Sequence, residues 1–229
     1  MKFTPERALI IRDVAVIADL HLGIENAMVE KGISIPRMQI DEIIERINSI
    51  VDSYGVREIV IAGDLKHEFC QNLPYEWEDV ELLLKSVDVD LRFVRGNHDN
   101  FLKTILARYG MTLEEELEVY GWTVVHGHRE CERKRIVMGH EHPSIKVRIN
   151  GIHTFHCFLR IKKDEREIIV LPAFSPLVSG SDVSYCRFLS PILKDVKEEE
   201  VEVFAIEEDV FYLGKLVDLK EYLAAGVFP

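Results

Sequence analysis

The sequence lacks the features that mark several large classes of protein. No apolar run approaches the roughly 18 residues that a membrane-spanning helix needs, and the N-terminus has no apolar core of a signal peptide. The four cysteines form no Cys-x-x-Cys pair, so a zinc knuckle is not expected. They are Cys70, Cys131, Cys157 and Cys186. We therefore expect a soluble, cytoplasmic protein whose thiols stay free in a reducing compartment.

Positive charge is also scarce. The chain carries 28 basic and 40 acidic residues, which gives a formal net charge of −12. The segment 188–229 alone holds four basic and ten acidic residues, a net of −6. An acidic protein is a poor non-specific binder of nucleic acid, because the phosphate backbone repels it. Bound divalent cations would reverse the sign of the charge locally.

Nothing in the composition indicates more than one domain. With 229 residues, 47% of them hydrophobic, the chain is long enough to bury a full core. No internal repeat or low-complexity segment divides it. We expect a single domain over 1–229, with the acidic segment from about 188 to 229 as part of it.

The apolar pattern changes near Gly110. Before it, runs that are apolar on both faces alternate with amphipathic stripes, as in α/β units with parallel strands. Strands are predicted at 7–11, 14–18, 57–62 and 91–94, and helices at 34–54, 75–86 and 101–109. Ser34 is the expected N-cap of the long helix, and Gly55 its C-terminal stop. After Gly110, short strands are predicted at 117–120, 122–125, 136–138, 145–149, 154–161, 168–171, 201–206 and 210–216.

Polar side chains follow the three central strands of the first half directly. Asp19 and His21 follow the first strand, Asp64 the second, and Asn97 and His98 the third. Residues i and i+2 of an extended segment point the same way, so Asp19 and His21 can reach one ion. Open α/β sheets place their ligand sites at these strand ends. The sequence thus predicts a polar site there.

Histidines in the second half complete this set. They lie in His126-Gly127-His128 and in Gly139-His140-Glu141-His142. The strand at 122–125 leads directly to His126, which we prefer as a ligand over the alternative, His128. Carboxylates, imidazoles and an amide suit manganese, iron or zinc better than calcium, and the set is too large for one tetrahedral ion. The polar strand ends fit two adjacent ions that share one carboxylate, and they are Asp19, His21, Asp64, Asn97, His98, His126, His140 and His142.

The stretch Arg95-Gly96-Asn97-His98-Asp99 is the centre of this pattern. Gly96 permits a tight turn that most residues resist. His98 can handle protons near neutral pH, and Asp99 can hold its imidazole in one tautomer. We therefore predict a catalytic role for His98, with Asp99 as its orienting partner.

The ordered motifs resemble those of the calcineurin-like metallophosphoesterase superfamily. That family shows Asp-x-His, Gly-Asp, Gly-Asn-His-Asp/Glu, a lone His and Gly-His-x-His, and all five occur here in order between about 14 and 143. The resemblance implies a four-layer α/β/β/α sandwich with two mixed sheets. It also implies hydrolysis of a phosphoric ester with two divalent ions, of which manganese is preferred and iron, zinc and nickel are alternatives.

The resemblance also implies a role for each site residue. Asp19, His21 and His142 would hold one ion, and Asn97, His126 and His140 the other. Asp64 would bridge the two ions. His98 would not be a ligand; it would protonate the leaving oxygen or stabilise the charge of the transition state, positioned by Asp99.

Within the superfamily, the chain most resembles archaeal proteins related to the SbcD branch of double-strand-break repair nucleases. That branch often carries a histidine three residues after the bridging aspartate, where His67 stands here. Those nucleases have a substantial DNA-capping domain after the catalytic one, and little chain remains for it here. A partner ATPase is suggested by this resemblance alone.

We expect a phosphodiesterase or nuclease that acts on a phosphodiester such as DNA or RNA. The alternative is a phosphatase or cyclic-nucleotide phosphodiesterase for small molecules, which the acidic charge and the missing cap favour. A non-catalytic metal-binding scaffold would be expected to have lost a ligand or His98, and none is missing.

Two features are left open by the sequence. His67 is either a substrate contact or a surface histidine. The basic residues between 129 and 135 either meet phosphates or form a solvated turn balanced by Glu130 and Glu132.

Overall fold

The computed structural model describes residues 1–69, 73–148 and 151–225. Its helices are α1 (Ile24–Glu30), α2 (Gln39–Tyr54), α3 (Pro74–Ser86), α4 (Leu102–Ala107) and α5 (Leu216–Ala225). Its strands are β1 (Lys2–Phe3), β2 (Leu9–Ile11), β3 (Val14–Ile17), β4 (Glu58–Ala62), β5 (Asp90–Val94), β6 (Leu113–Glu114), β7 (Leu117–Val119), β8 (Trp122–Val125), β9 (Arg135–Met138), β10 (Pro143–Arg148), β11 (Ile152–Lys163), β12 (Arg166–Val170), β13 (Ser181–Asp182), β14 (Val201–Ile206) and β15 (Val210–Lys215).

The first sheet has the strand order β1-β2-β3-β4-β5-β6. Its strands β3 to β6 run parallel, whereas β1 and β2 are antiparallel neighbours at one edge. Side chains alternate along β3, so that Ala15 and Ile17 pack under the helices while Val14 and Val16 face the second sheet. Both faces of this sheet are therefore buried, which explains the continuous apolar runs of its strands.

The second sheet is also mixed. Its path is β13-β10-β11-β12-β9-β8-β7, and β14 pairs with β11 and carries β15. The long strand β11 makes this branch possible, because one part of it pairs with β10 and the next with β14. The parallel strands β8 and β9 lie beside each other and end at the same edge.

Three apolar clusters separate four layers. One lies between the first sheet and the helices α2, α3 and α4, a second between the two sheets, and a third under α5 and short 3₁₀ turns on the outer face of the second sheet. The predicted four-layer α/β/β/α sandwich with two mixed sheets is confirmed. Most of the fourth layer is 3₁₀ turn and irregular chain rather than α-helix.

The predicted start of the long helix at Ser34 is wrong. Helix α2 begins at Gln39, and Oε1 of Glu25 accepts hydrogen bonds from the backbone amides of Met38 and Gln39 at 2.7 and 2.8 Å. A carboxylate from α1 thus satisfies the free amides at the helix start, a task for which a local Ser or Thr is usual. The predicted stop is confirmed, because Gly55 lies just after α2 with φ of 62°.

Cys131, Cys157 and Cys186 are free thiols, and Cys157 is fully buried. Cys70 lies outside the described residues. Within the described part of the chain, no helix has the length and apolar character to cross a membrane.

Candidate metal centre

Five parallel strands from the two sheets end at one polar cluster. Strands β3, β4 and β5 of the first sheet lead to Asp19, Asp64 and Asn97, and β8 and β9 of the second lead to His126 and His140. Because the carboxyl ends of parallel strands share an edge, residues far apart in sequence meet here. His142 follows two residues after His140.

The first group of metal-binding atoms comes from Asp19, His21 and His142. Their donor atoms lie within 4.8 Å of one another. Nε2 of His21 is 3.3 Å from Nε2 of His142, which is itself 3.4 Å from Oδ1 of Asp19. Two nitrogens and a carboxylate oxygen therefore converge on one point.

The second group comes from Asp64, His126 and His140, again within 4.8 Å. Nε2 of His126 lies 3.4 Å from Oδ2 of Asp64 and 3.1 Å from Nδ1 of His140. The amide oxygen of Asn97 is 3.0 Å from the same Nε2. All four residues predicted to serve this ion thus meet.

Asp64 lies between the two groups. Its Oδ2 is 3.4 Å from Nε2 of His126 in the second group and 4.0 Å from Nε2 of His21 in the first. Its Oδ1 accepts a hydrogen bond from the backbone amide of His98 at 2.9 Å. A single oxygen of this carboxylate therefore lies within 4.0 Å of the Nε2 atoms of one histidine from each group.

The residues fit a pair of divalent cations. Oδ1 of Asp19 is buried and has no hydrogen-bond partner among the described residues, which is costly for a carboxylate unless a cation lies beside it. Nδ1 of His126 is 3.0 Å from the carbonyl oxygen of Ala62 and donates there, which directs Nε2 into the second group. Mixed oxygen and nitrogen donors of this kind suit manganese, iron or zinc.

The charges of the cluster agree with this fit. Burial alone would raise the pKa of Asp64, but the hydrogen bond and charge of His126 hold that pKa well below its usual value. Burial opposes a proton on His126, yet Asp64 and Asp19 raise its pKa to about 9. A cation in the second group would take the place of that proton.

Five of the seven predicted ligands have a left-handed backbone. They are Asp19, His21, Asp64, His140 and His142, with φ values of 58°, 48°, 50°, 71° and 46°. Such a conformation costs a non-glycine residue about 1–3 kcal/mol and persists only where the surroundings enforce it. Aspartate and histidine tolerate it better than most residues.

Gly96 and Gly139 allow the turns to approach closely. A Cβ at Gly96 would lie 2.0 Å from Oδ1 of Asp64, and one at Gly139 would lie 2.5 Å from Oδ2 of Asp19. Any side chain at either position would displace a candidate ligand.

His98 lies beside Asp64, but Asp99 does not orient it. Nε2 of His98 is 3.9 Å from Oδ2 of Asp64, and Nδ1 is 2.5 Å from the carbonyl oxygen of His67. Both carboxylate oxygens of Asp99 instead accept hydrogen bonds from the backbone amides of Asp64, Leu65, Lys66 and Gly96. The predicted pairing of Asp99 with His98 is therefore wrong, because four neighbouring amides compete successfully for the carboxylate.

Comparisons with known proteins identify the family. The family described as calcineurin-like phosphoesterase matches residues 13–205. The chain belongs to this family. Its members are metal-dependent phosphoric ester hydrolases, and the predicted superfamily is thereby confirmed. No curated relative matches the sequence.

Solved structures resemble the phosphoesterase over most of its length. The nuclease MPE of Pseudomonas putida is 20% identical, with a TM-score of 0.65 over 91% of this chain and 92% of that one. Yfce, a phosphoesterase from E. coli, is 17% identical, with a TM-score of 0.44 over 90% and 94% of the two chains. At these identities the first likeness concerns the fold, and it agrees with the two-sheet architecture.

His126 and His128, the two histidines considered as ligands, occupy different positions in this phosphoesterase. His126 belongs to the second donor group, whereas His128 belongs to none of the groups found in the described residues. The ring of His128 stands 5.2 Å from that of His126 and 6.3 Å from that of His140. His128 therefore lies behind the donors.

His67 lies at the site. Its ring is 5.9 Å from that of His98 and nearly parallel to it, and 5.5 Å from that of His21. These three histidines form a third group of possible donors.

The basic turn after His128 is held by other carboxylates than those predicted. Arg129 pairs with Glu115 at 2.7 Å, Arg133 with Glu116 at 2.5 Å, and Lys134 with Glu165. Glu130 and Glu132 are not these partners. The solvated turn is observed, but the balancing charges come from neighbouring segments.

Sequence reasoning passed over Glu141, although it stands between two predicted ligands. Its buried carboxylate accepts hydrogen bonds from the backbone amides of Leu189 and Ser190 at 3.1 and 2.6 Å. Oγ of Ser190 donates to the carbonyl oxygen of Gly127 at 2.5 Å. Glu141 thus ties the turn that carries His140 and the loop after His126 to one segment. An acidic residue flanked by histidines was the available signal.

Proposed function

We propose that the chain is a dinuclear metal-dependent phosphodiesterase that acts on nucleic acid, that is, a nuclease. The observation that carries this proposal is the pair of adjacent donor groups with Asp64 beside both. Oδ2 of Asp64 is 3.4 Å from Nε2 of His126, 4.0 Å from Nε2 of His21 and 3.9 Å from Nε2 of His98. A cleavage centre needs ions to receive the phosphate and a separate group to handle a proton. The donor groups could hold such ions, and His98 is a candidate for the separate group.

The proposed ligands follow the two groups. Asp19, His21 and His142 hold one ion, Asn97, His126 and His140 hold the other, and Asp64 bridges them. When bound, the ions supply charge neutralisation of the phosphoryl oxygens and activation of water. Manganese is the ion we propose, with iron, zinc and nickel as alternatives.

His98 has the geometry of a proton donor to the leaving oxygen. Its Nδ1–H donates to the carbonyl oxygen of His67, and this contact fixes the ring. The protonated imidazole then carries its second proton on Nε2, which faces the shared carboxylate and the phosphate position beside it. We assign Asp99 to the shaping of the turn at Asp64, and not to proton transfer.

Three observations favour nucleic acid as the substrate. The structure resembles a nuclease over nine-tenths of its length, and His67 stands where the SbcD branch carries a histidine. The exposed aromatic ring of Phe69 also lies beside His98. A relation to the SbcD branch remains a prediction, as does a partner ATPase.

The whole described chain is proposed to act as one catalytic domain. The acidic C-terminal segment contributes β14, which pairs with β11 inside the second sheet. The net charge of −12 favours the alternative of a small phosphate ester as substrate, because a long anionic polymer is repelled. The experiment must therefore compare both kinds of substrate.

The test uses the manganese-loaded full chain, with metal content measured on each sample. Substrates are single-stranded DNA, duplex DNA, bis-p-nitrophenyl phosphate, a cyclic nucleotide and p-nitrophenyl phosphate. Rapid cleavage of DNA that is abolished in Asp64→Ala supports the proposal. Turnover of the monoester or the cyclic nucleotide, without cleavage of DNA, would establish the small-molecule alternative. Full metal loading without any turnover would indicate a scaffold.

A further inference from the structure

Two phenylalanine rings remain exposed in the segments that follow His67 and His98. Phe69 is 47% exposed and Phe101 is 56% exposed. They flank the site in sequence, because Phe69 follows His67 by two residues and Phe101 follows His98 by three. Large apolar rings left in water at a catalytic edge are candidates for contact with a substrate.

Phe69 is held against the catalytic residue. Its ring centroid is 5.7 Å from that of His98, and the two planes are nearly perpendicular at 86°. Nδ2 of Asn100 donates to the carbonyl oxygen of Phe69 at 3.1 Å. Since Asn100 precedes Phe101, this bond joins the two segments that carry the exposed rings.

Phe101 combines a strained backbone with an exposed side chain. It stands directly before α4 with φ of 69°, in the left-handed region that a residue with a bulky side chain rarely adopts. The next residue, Leu102, is fully buried under the first sheet. The strained residue thus precedes the buried start of α4, while its own ring stays in solvent. Strained backbone conformations often cluster at functional sites.

We propose that Phe69 and Phe101 stack on nucleobases next to the phosphodiester and thereby select single-stranded nucleic acid. The inference rests on the proposed function and names its substrate class. A nucleobase lies one sugar away from its phosphate, which places it over the ring edge beside His98 when the phosphate is at the donor groups. Every base has a π-face, so stacking recognises single strands without reading their sequence.

The net charge of the chain favours stacking on bases over attraction of phosphates as the way in which the nucleic acid is bound. The net charge of −12 gives little general attraction for the phosphate backbone. Arg95, a basic side chain of the same turn as His98, already bonds to Oδ1 of Asn100 at 3.3 Å and to Glu115 at 3.4 Å. Bases of a duplex are stacked on each other and cannot meet the two rings without being unpaired.

The experiment compares Phe69→Ala and Phe101→Ala with a matched control, Phe211→Ala. Phe211 is 50% exposed on β15, a strand that contributes no residue to the donor groups. Substrates are a single-stranded oligonucleotide, the same strand with abasic sites around the cleavage position, and the duplex. Binding is followed separately by the fluorescence of 2-aminopurine in the oligonucleotide, using manganese-loaded protein that also carries His98→Ala.

Loss of one stacked base should weaken binding of the single strand about 10- to 100-fold in each variant. The abasic strand should respond little to either substitution, and Phe69→Trp should restore binding where Phe69→Leu does not. Phe211→Ala should behave as the parent. Equal losses on the normal and abasic strands, or parental binding in both variants, would overturn the proposal. Absence of all phosphodiester cleavage would refute the proposed function instead, while the fluorescence measurement still decides the stacking.

Discussion

The carboxylate of Asp99 accepts a hydrogen bond from the backbone amide of Asp64 at 2.9 Å. Because three further amides of the same two turns bind this carboxylate, it acts as the hub that joins the end of β4 to the end of β5. Burial, followed by the nearby charge of Asp64, raises the pKa of Asp99 to about 6. The bridging candidate is thus positioned by a second carboxylate that lies behind it.

Asp99→Asn should therefore lower both the affinity for manganese and the free energy of unfolding. An amide keeps one acceptor oxygen, so some buried amides lose their partner, and the free energy of unfolding should fall by about 2–4 kcal/mol. Denaturant unfolding of the metal-free protein and manganese titration measure the two effects. Asp52→Asn, on the exposed side of α2, is the control. A change confined to proton transfer, with metals and stability intact, would restore the original pairing with His98.

Asp64→Ala should weaken both metal sites, and Asp19→Ala mainly one. Oδ2 of Asp64 faces His21 of one group and His126 of the other, whereas Asp19 belongs to the first group only. Calorimetric titration with manganese should find two ions for the parent and one retained ion in Asp19→Ala. Retention of one ion at parental affinity in Asp64→Ala would show that this residue does not bridge.

His126→Ala and His128→Ala form a matched pair two residues apart. His126 lies in the second donor group, and His128 lies behind it. Elemental analysis after manganese loading should find about one ion fewer in His126→Ala and no loss in His128→Ala. The reverse result would transfer the ligand role to His128.

His98→Ala should keep both metals and slow the reaction. General acid catalysis typically contributes about 10²- to 10⁴-fold, and the rate should fall by that order on substrates with a nucleoside alkoxide as leaving group. The loss should be smaller on bis-p-nitrophenyl phosphate, because p-nitrophenolate departs without a proton. Equal losses on both substrates, with metals retained, would leave His98 as a charge stabiliser. Lost metal would make it a ligand.

Gly96→Ala should disturb the metal centre by steric clash alone. The added methyl group would lie 2.0 Å from Oδ1 of Asp64, so the bridging candidate must move. Overpacking of this kind typically costs about 1–3 kcal/mol, and manganese affinity should fall with it. Gly110→Ala is the control, because its methyl group meets nothing within 4 Å and its cost is confined to the backbone, whose φ is 70°. Comparable metal loss in both variants would contradict this account.

The parts of the fold that follow from local pattern were predictable. Buried strands such as β3 and β4 have no polar interruption, and the stripe of α2 repeats at the helical period, so both are visible in the sequence. The start of α2 was not visible, because its cap comes from Glu25 on another helix. The short helix α1 has a weak stripe of its own and was missed for that reason.

The candidate site likewise has features that could be predicted from the sequence and features that could not. The ligand types and their order are a property of the sequence, and the donor groups assemble as expected from strand ends. Asp99 was misassigned because adjacency to His98 in sequence says nothing about three amides that arrive from the end of another strand. Glu141 was missed because its partners lie nearly fifty residues further along the chain.

The left-handed backbone at the donor residues lowers the stability of the fold, so stability and activity favour different residues at these positions. Glycine adopts such turns without strain, so a glycine at His142 would relax the backbone while it removed a candidate ligand. The metal-free form of this variant should melt later than the metal-free parent, although it lacks one donor of the first group. Selection for heat resistance alone would therefore favour the loss of this side chain, whereas selection for metal binding would favour its retention.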